Sequence, residues 1–323
     1  MKFSRLLGLV IIMLAASYPL NAENLSPANE WITLGTMGGP IPNPTHSQPA
    51  NALVVGDNVY LVDVGDGAAG RLVAAGESLK SVRAVFVSHL HFDHTAGLPA
   101  VIALRWQTNT FNGLTIYGPP GLKRTVDGIF DFMQFGAEGS YGVPGQVVKA
   151  ADTGVEVVEI VDGSVIELDD FTLTAVRNSH YSWPKGSEEW EKFQSLSYKF
   201  DLPDRTIVYT GDTGPSDAVV EMAKGVDLYV SEMMDIDDTV AKVKRSNPNM
   251  PVPALKNMES HLRDHHVTPQ QVGDMAARAG VKKLVVTHMV PGSDYPSIID
   301  DYTGRVKAEY DGEVILAKDL DRF

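Results

Sequence analysis

The chain has 323 residues, 44% hydrophobic and 21% charged, with no cysteine and a formal charge of −14. That composition excludes a disordered chain, a collagen-like chain and a disulfide scaffold. The missing cysteines exclude thiol nucleophiles, Cys-ligated zinc and iron–sulfur clusters.

Residues 1–22 read as an address rather than as part of a fold. Lys2 and Arg5 precede an apolar run over 6–16, and a short stretch leads to Ala22 and the polar pair Glu23-Asn24. This is the layout of a secretory signal peptide cut after Ala22. The run is shorter than the ~20 apolar residues that a membrane span needs. Residues 23–323 then form the mature chain, expected to be periplasmic or secreted and free of the membrane. It keeps 25 basic against 41 acidic residues, a charge of −16.

In chain order, apolar runs predict strands over 31–34, 52–55, 60–64, 84–88 and 114–117, interleaved with helices over 68–75, 98–107 and 121–134. Further strands are predicted over 155–160, 165–168, 172–176, 196–200, 206–209, 228–231, 284–287 and 313–317. Helices are predicted over 216–224, 269–278 and 297–309, with Pro269 just inside a start capped by Thr268. The stretch 37–50, rich in Gly and Pro, and the stretch 235–255, with three prolines, predict long irregular loops. Interleaved strands and helices make this an α/β chain with mixed sheets. No interdomain linker is evident, which points to one domain built from two similar halves.

The densest chemistry lies in Ser88-His89-Leu90-His91-Phe92-Asp93-His94, where an apolar strand runs into three histidines and an aspartate within six residues. Residues two apart on an extended backbone point the same way. His89 and His91 can therefore face one metal while Asp93 and His94 face a second. Imidazole and carboxylate together suit zinc, and manganese or iron also accept them. His180, Asp212 and His288 each stand at or just past a predicted strand end, where open α/β sheets collect ligands.

His-x-His-x-Asp-His after a strand, then a single His, a Gly-Asp turn and a Thr-His, resembles the ligand order of the metallo-β-lactamase superfamily. The resemblance implies a four-layer αββα sandwich with two metals at one edge. It places His89, His91 and His180 on one metal and Asp93, His94 and His288 on the second, with Asp212 bridging. True β-lactamases usually carry Cys or His where this chain has Asp212, which counts against antibiotic hydrolysis. Within the superfamily the chain most resembles ribonuclease Z and its secreted relatives, the metallo-type arylsulfatases and phosphodiesterases. Three segments carry this: the strand ending Val230-Ser231-Glu232, the motif His266-Val267-Thr268, and Leu114-Thr115-Ile116-Tyr117-Gly118-Pro119-Pro120. In that group the His of His-x-Thr protonates the leaving oxygen and the Glu orients it. A carboxylate that holds an imidazole beside a metal-bound substrate makes a tunable general acid. His261 and His265 stand near His266 and could hold that role instead.

The chain also departs from ribonuclease Z. Only 31 residues separate His180 from Asp212, little room for that family's long tRNA-clasping arm. The chain is acidic, with its densest basic run at Lys242, Lys244 and Arg245. tRNA is therefore not expected as a partner. The expected activity is hydrolysis of a small phosphodiester or aryl sulfate ester at two zinc ions, with a metal-bridging hydroxide as nucleophile. Asp93, His266 and Glu232 are its expected catalytic residues, with Asp63 and Asp66 behind the ligands or in turns. Tyr181, Trp183 and Trp190 after His180, and Phe132, Met133 and Phe135, are candidates to line an apolar pocket. A lactonase or thioester hydrolase of the same fold, or a non-catalytic metal-binding protein, stay open as alternatives, and a homodimer is possible.

Overall fold

A computed structural model describes residues 29–290 and 296–323. The predicted signal peptide lies outside them. The first half runs β1 (Asn29–Gly35), β2 (Ala50–Val55), β3 (Asn58–Val64), α1 (Ala68–Ala74), β4 (Val82–Phe86), α2 (Phe92–Thr95), α3 (Leu98–Gln107), β5 (Leu114–Gly118), α4 (Leu122–Gly139) and β6 (Val155–Glu159). The second runs β7 (Val165–Glu167), β8 (Thr172–Arg177), α5 (Glu188–Lys192), β9 (Leu196–Asp201), β10 (Thr206–Tyr209), α6 (Asp217–Met222), β11 (Leu228–Met234), α7 (Ile236–Ser246), α8 (Val252–His265), α9 (Pro269–Ala279), β12 (Lys283–Val290), α10 (Pro296–Lys307) and β13 (Glu313–Leu316).

Each half folds into one mixed sheet. The first has the order β1-β2-β3-β4-β5-β6 and the second β13-β12-β11-β10-β9-β8-β7. Alternation along the strands makes the layers, because successive side chains point to opposite faces. In β3, Tyr60 and Val62 face the second sheet while Val59 and Leu61 face the helices. In β11, Leu228 and Val230 face inward while Tyr229 and Met233 face outward. The inter-sheet core is therefore aromatic and aliphatic, with Trp31, Tyr60, Phe86, Phe171, Tyr198, Phe200 and Tyr209 in mutual ring contact. Helices α1, α3 and α4 bury Leu72, Leu98, Val101, Leu122 and Val126 against the first sheet. Helices α6 and α9 bury Val219, Val272 and Met275 against the second. The result is the four-layer αββα sandwich.

The stretch 235–255 is not an irregular loop. It forms α7 and the first part of α8, a helical pair closed by Met234, Ile236, Val240 and Leu262 and by exposed ion pairs such as Arg263–Asp237 at 2.7 Å. Pro253 sits in the first turn of α8, where a missing N–H costs nothing. The stretch 37–50 remains irregular and is pinned to the end of β12 through Gly38 N–H donating to Met289 O at 3.0 Å. Among the described residues, no helix is long and apolar enough to cross a membrane.

Candidate metal centre

All seven predicted ligands converge at the carboxyl ends of the central strands. β4 delivers the run from Ser88 to His94, β8 delivers His180, the turn after β10 delivers Asp212, and β12 carries His288. Two backbone devices aim them. Between β11 and β12 the pairing jumps from Ser231↔Val286 to Met233↔Met289, so Thr287 and His288 together oppose Glu232. Such a bulge redirects side chains locally, and His288 accordingly takes a left-handed φ of 42°, a conformation that other packing must hold in place. Gly211, with φ 58°, precedes Asp212; a Cβ there would lie 2.9 Å from Ser88 Cβ. Only glycine lets these two turns meet.

The nitrogens fall into two groups. His91 Nδ1 lies 3.0 Å from His89 Nε2 and 3.2 Å from His180 Nε2. The far side of His180 is fixed, since its Nδ1–H donates to the His265 carbonyl at 3.0 Å. The far side of His89 is fixed as well: Ser88 Oγ donates to Asp63 Oδ2 and so accepts from His89 Nδ1–H. The lone pairs of His89 and His180 thus both face His91 Nδ1, where a single N–H would be shared between two acceptors and a cation would satisfy all three nitrogens. Tetrahedral zinc with ~2.0–2.1 Å bonds would space such nitrogens about 3.3 Å apart, close to what is seen.

The second group is Asp93, His94, Asp212 and His288. Asp212 Oδ1 lies 3.1 Å from both His94 Nε2 and His288 Nε2, whereas its Oδ2 lies 3.9 Å from His89 Nε2 and 4.0 Å from His180 Nε2. One oxygen of Asp212 thus faces each group, the arrangement a bridging carboxylate needs. Asp93 Oδ2 lies 3.6 Å from His94 and His288 and accepts from Gly39 N–H at 3.1 Å. His94 Nε2, His288 Nε2 and Asp212 Oδ1 are buried without a hydrogen-bond partner. Burial pushes His89 and His180 well below the usual histidine range, as neutral ligands require. Burial opposes protonation of His288 too, but the Asp212 carboxylate raises it to about 10. Carboxylates around the second group therefore demand positive charge, which a divalent ion supplies in place of protons. The residues present fit two metal ions.

Asp63 supports this centre from behind. Its buried carboxylate accepts from Ser88 N–H, Ser88 Oγ–H, Tyr209 O–H and His94 Nδ1–H, each at 2.7 Å. It thereby fixes the tautomer and ring plane of His94. Asp66, by contrast, is an exposed turn residue. In an Asp63→Asn variant one oxygen must serve donors that now use two, so metal affinity is expected to fall about 10–100-fold. A metal titration against a chromogenic chelator measures this, and an unchanged affinity would show that His94 is held by packing alone.

Beside the two groups stands a buried couple. His266 Nδ1 lies 2.9 Å from Glu232 Oε2, and Glu232 Oε1 accepts from Thr213 N–H at 2.6 Å. Burial opposes a charge on His266, yet Glu232 holds its pKa above the ordinary value. The His266 ring centroid is 5.0 Å from that of His180 and 6.2 Å from that of His288. Of the predicted pocket aromatics, Tyr181 packs on the centre, 5.6 Å from His91 between ring centroids. Trp183 instead packs on Phe193, and Trp190 lies under Arg177. Met133 is buried in the helix–sheet core, while Phe132 is exposed and edges a cavity of about 210 Å³ whose lining holds none of the seven ligands. Sequence reasoning missed Ser88, Tyr209 and Gly39, whose partners lie far off in the chain. A Cβ on Gly39 would lie 2.2 Å from Asp93 Oδ2, so the 37–50 loop reaches the second group only because that residue is glycine.

A family model described as a β-lactamase superfamily domain matches residues 59–289. The chain belongs to this superfamily. It falls in the ribonuclease Z-like group: ribonuclease Z of Mycobacterium marinum is 30% identical over 298 residues, covering 90% of this chain and 97% of the relative. Ribonuclease Z of Mycobacterium bovis is 28% identical over 294 residues. Among solved structures, the metallo-β-lactamase fold protein YhfI from Bacillus subtilis superposes with a TM-score of 0.65 at 19% identity, covering 91% of this chain and 98% of that one. Human tRNase Z, short form, gives 0.62 at 21% identity, with 91% and 98% covered. The chain is thus a metallo-hydrolase of this fold. These relatives overturn the expectation that tRNA is not a partner. The short spacing between His180 and Asp212 does not separate this chain from the Mycobacterium marinum ribonuclease Z, which it matches over 298 residues and 97% of that protein's length. Net charge fails as a criterion for a related reason: it describes the whole molecule, not the face that meets the substrate.

Proposed function

We propose that the protein is a two-metal phosphodiesterase whose substrates include RNA. The observation that carries this is the buried Glu232–His266 couple beside seven convergent ligands, the placement that a general acid for ester cleavage would need. When bound, two metal ions polarise the ester and make water a nucleophile at neutral pH. His89, His91 and His180 would hold one ion, Asp93, His94 and His288 the other, and Asp212 both. Asp63 keeps His94 in the ligating tautomer, and Gly39 N–H orients Asp93. His266, tied to Glu232 through Nδ1, holds its transferable proton at Nε2 and delivers it to the leaving oxygen. The ribonuclease Z relatives support RNA as a substrate, and the N-terminal pattern of residues 1–22 supports export of the chain.

The test is turnover by zinc-reconstituted protein, with manganese and iron in parallel. Its substrates are bis(p-nitrophenyl) phosphate, a precursor tRNA, an aryl sulfate and a lactone. Diester cleavage abolished by chelation is the expected result. Cleavage of the lactone alone, with metals bound, would overturn the proposal. Fractionation of cells expressing the full chain tests export.

A further inference from the structure

The end of α8 supplies the centre with more than His266. The His265 carbonyl holds His180, and Asp264 packs on the turn carrying Thr213, where a Cβ on Gly214 would lie 2.2 Å from Asp264 O. One turn earlier, half-buried His261 brings a ring nitrogen within 4.8 Å of ring nitrogens of both His180 and His266. Its ring centroid lies 5.6 Å from that of His180, 5.5 Å from that of His266 and 6.4 Å from that of His91. His261 therefore overlooks the His89–His91–His180 group from α8.

Its protonation can be read from its neighbour. His261 Nδ1 and His265 Nδ1 are 2.8 Å apart, so one donates and the other accepts. His265 Nε2 is buried with no partner. A buried N–H left unpaired is rarer than a bare acceptor, which places the His265 proton on Nδ1 and makes His265 the donor. Neutral His261 then carries its own proton on Nε2, which makes no hydrogen bond among the described residues.

We infer that His261 is a further catalytic residue, whose Nε2–H donates to a non-bridging oxygen of the phosphodiester as charge builds there, while His266 serves the leaving oxygen. A fixed donor aimed at developing charge acts chiefly on the transition state. The inference rests on the phosphodiesterase reading.

The variants His261→Phe and His261→Gln separate the donor from the shape. Phe keeps a ring without a donor, and Gln places an amide N–H at comparable reach. In zinc-loaded protein, kcat for bis(p-nitrophenyl) phosphate is expected to fall on the order of 10²-fold in His261→Phe with KM little changed, and His261→Gln is expected to recover most of it. Calorimetry with inorganic phosphate is expected to show weaker binding to His261→Phe than to the parent and near-parental binding to His261→Gln. Metal content is expected to stay at the parental level in both. Equal kcat in His261→Phe and parent overturns the inference, as does loss of metal, which would make His261 a prop for His180. A parent that turns over no diester fails the phosphodiesterase reading instead, and the phosphate titration still reads His261.

Discussion

An Asp212→Ala protein is expected to bind fewer than two metal ions and to lose activity on the order of 10³-fold or more, because metal polarisation of the ester is worth several kcal/mol. The reason is geometric. Among the described residues, Asp212 is the one carboxylate with an oxygen toward each group, Oδ1 at 3.1 Å from His94 and His288 and Oδ2 at about 4 Å from His89 and His180. Without it the second group keeps Asp93 alone against two imidazoles. The first group keeps its three nitrogens, so one ion should remain. Metal analysis of the purified variant, read beside bis(p-nitrophenyl) phosphate turnover, distinguishes the outcomes. Two ions with little activity would make Asp212 an electrostatic residue and not a ligand. Two ions with full activity would remove it from the centre. An Asp212→Asn variant adds a control for shape, since it retains the volume and loses the charge.

The sheets were legible in the sequence because their strands are short apolar runs bounded by turn residues, and that length and flanking decide between strand and buried helix. The run from His89 to His94 was legible for a different reason: it packs four ligands into six residues, so no long-range contact has to be guessed. Asp63 shows where reading stops. Its four donors come from Ser88, His94 and Tyr209, and the last is 146 residues away; nothing local marks that tyrosine as part of the site. The prolines misled in a definable way. Pro251 and Pro253 read as breakers of a loop, yet Pro251 stands at the N-cap of α8 and Pro253 in its first turn, where the backbone N–H has no intrahelical partner to lose. With α8 unread, His261 could be named only as a neighbour of His266 and not as a residue facing the centre. Gly39 was hidden within a Gly-Gly-Pro loop, because a close backbone approach leaves no periodic trace.

The second large effect is expected at His266. Replacing it with Ala removes the general acid, which is worth about 10²–10⁴-fold where the leaving oxygen needs a proton. It also strands Glu232, which is 1% exposed, without its imidazole partner. Breaking one side of a buried pair costs about 3–5 kcal/mol of stability, so lost activity in His266→Ala could reflect unfolding. His266→Asn resolves this, because its amide N–H can take the place of Nδ1–H toward Glu232 while nothing replaces Nε2–H. The Asn variant is therefore expected to melt near the parent and the Ala variant well below it, by calorimetry. Both are expected to fail on a dinucleotide, whose alkoxide leaves poorly unless protonated. Both should lose far less on bis(p-nitrophenyl) phosphate, whose phenolate leaves without help. The ratio of the two rates thus isolates proton delivery from fold and from metal loading. An Asn variant that lost both substrates equally would assign His266 to building the centre. One that kept both would pass the role of general acid to another group, with His261 the first to test.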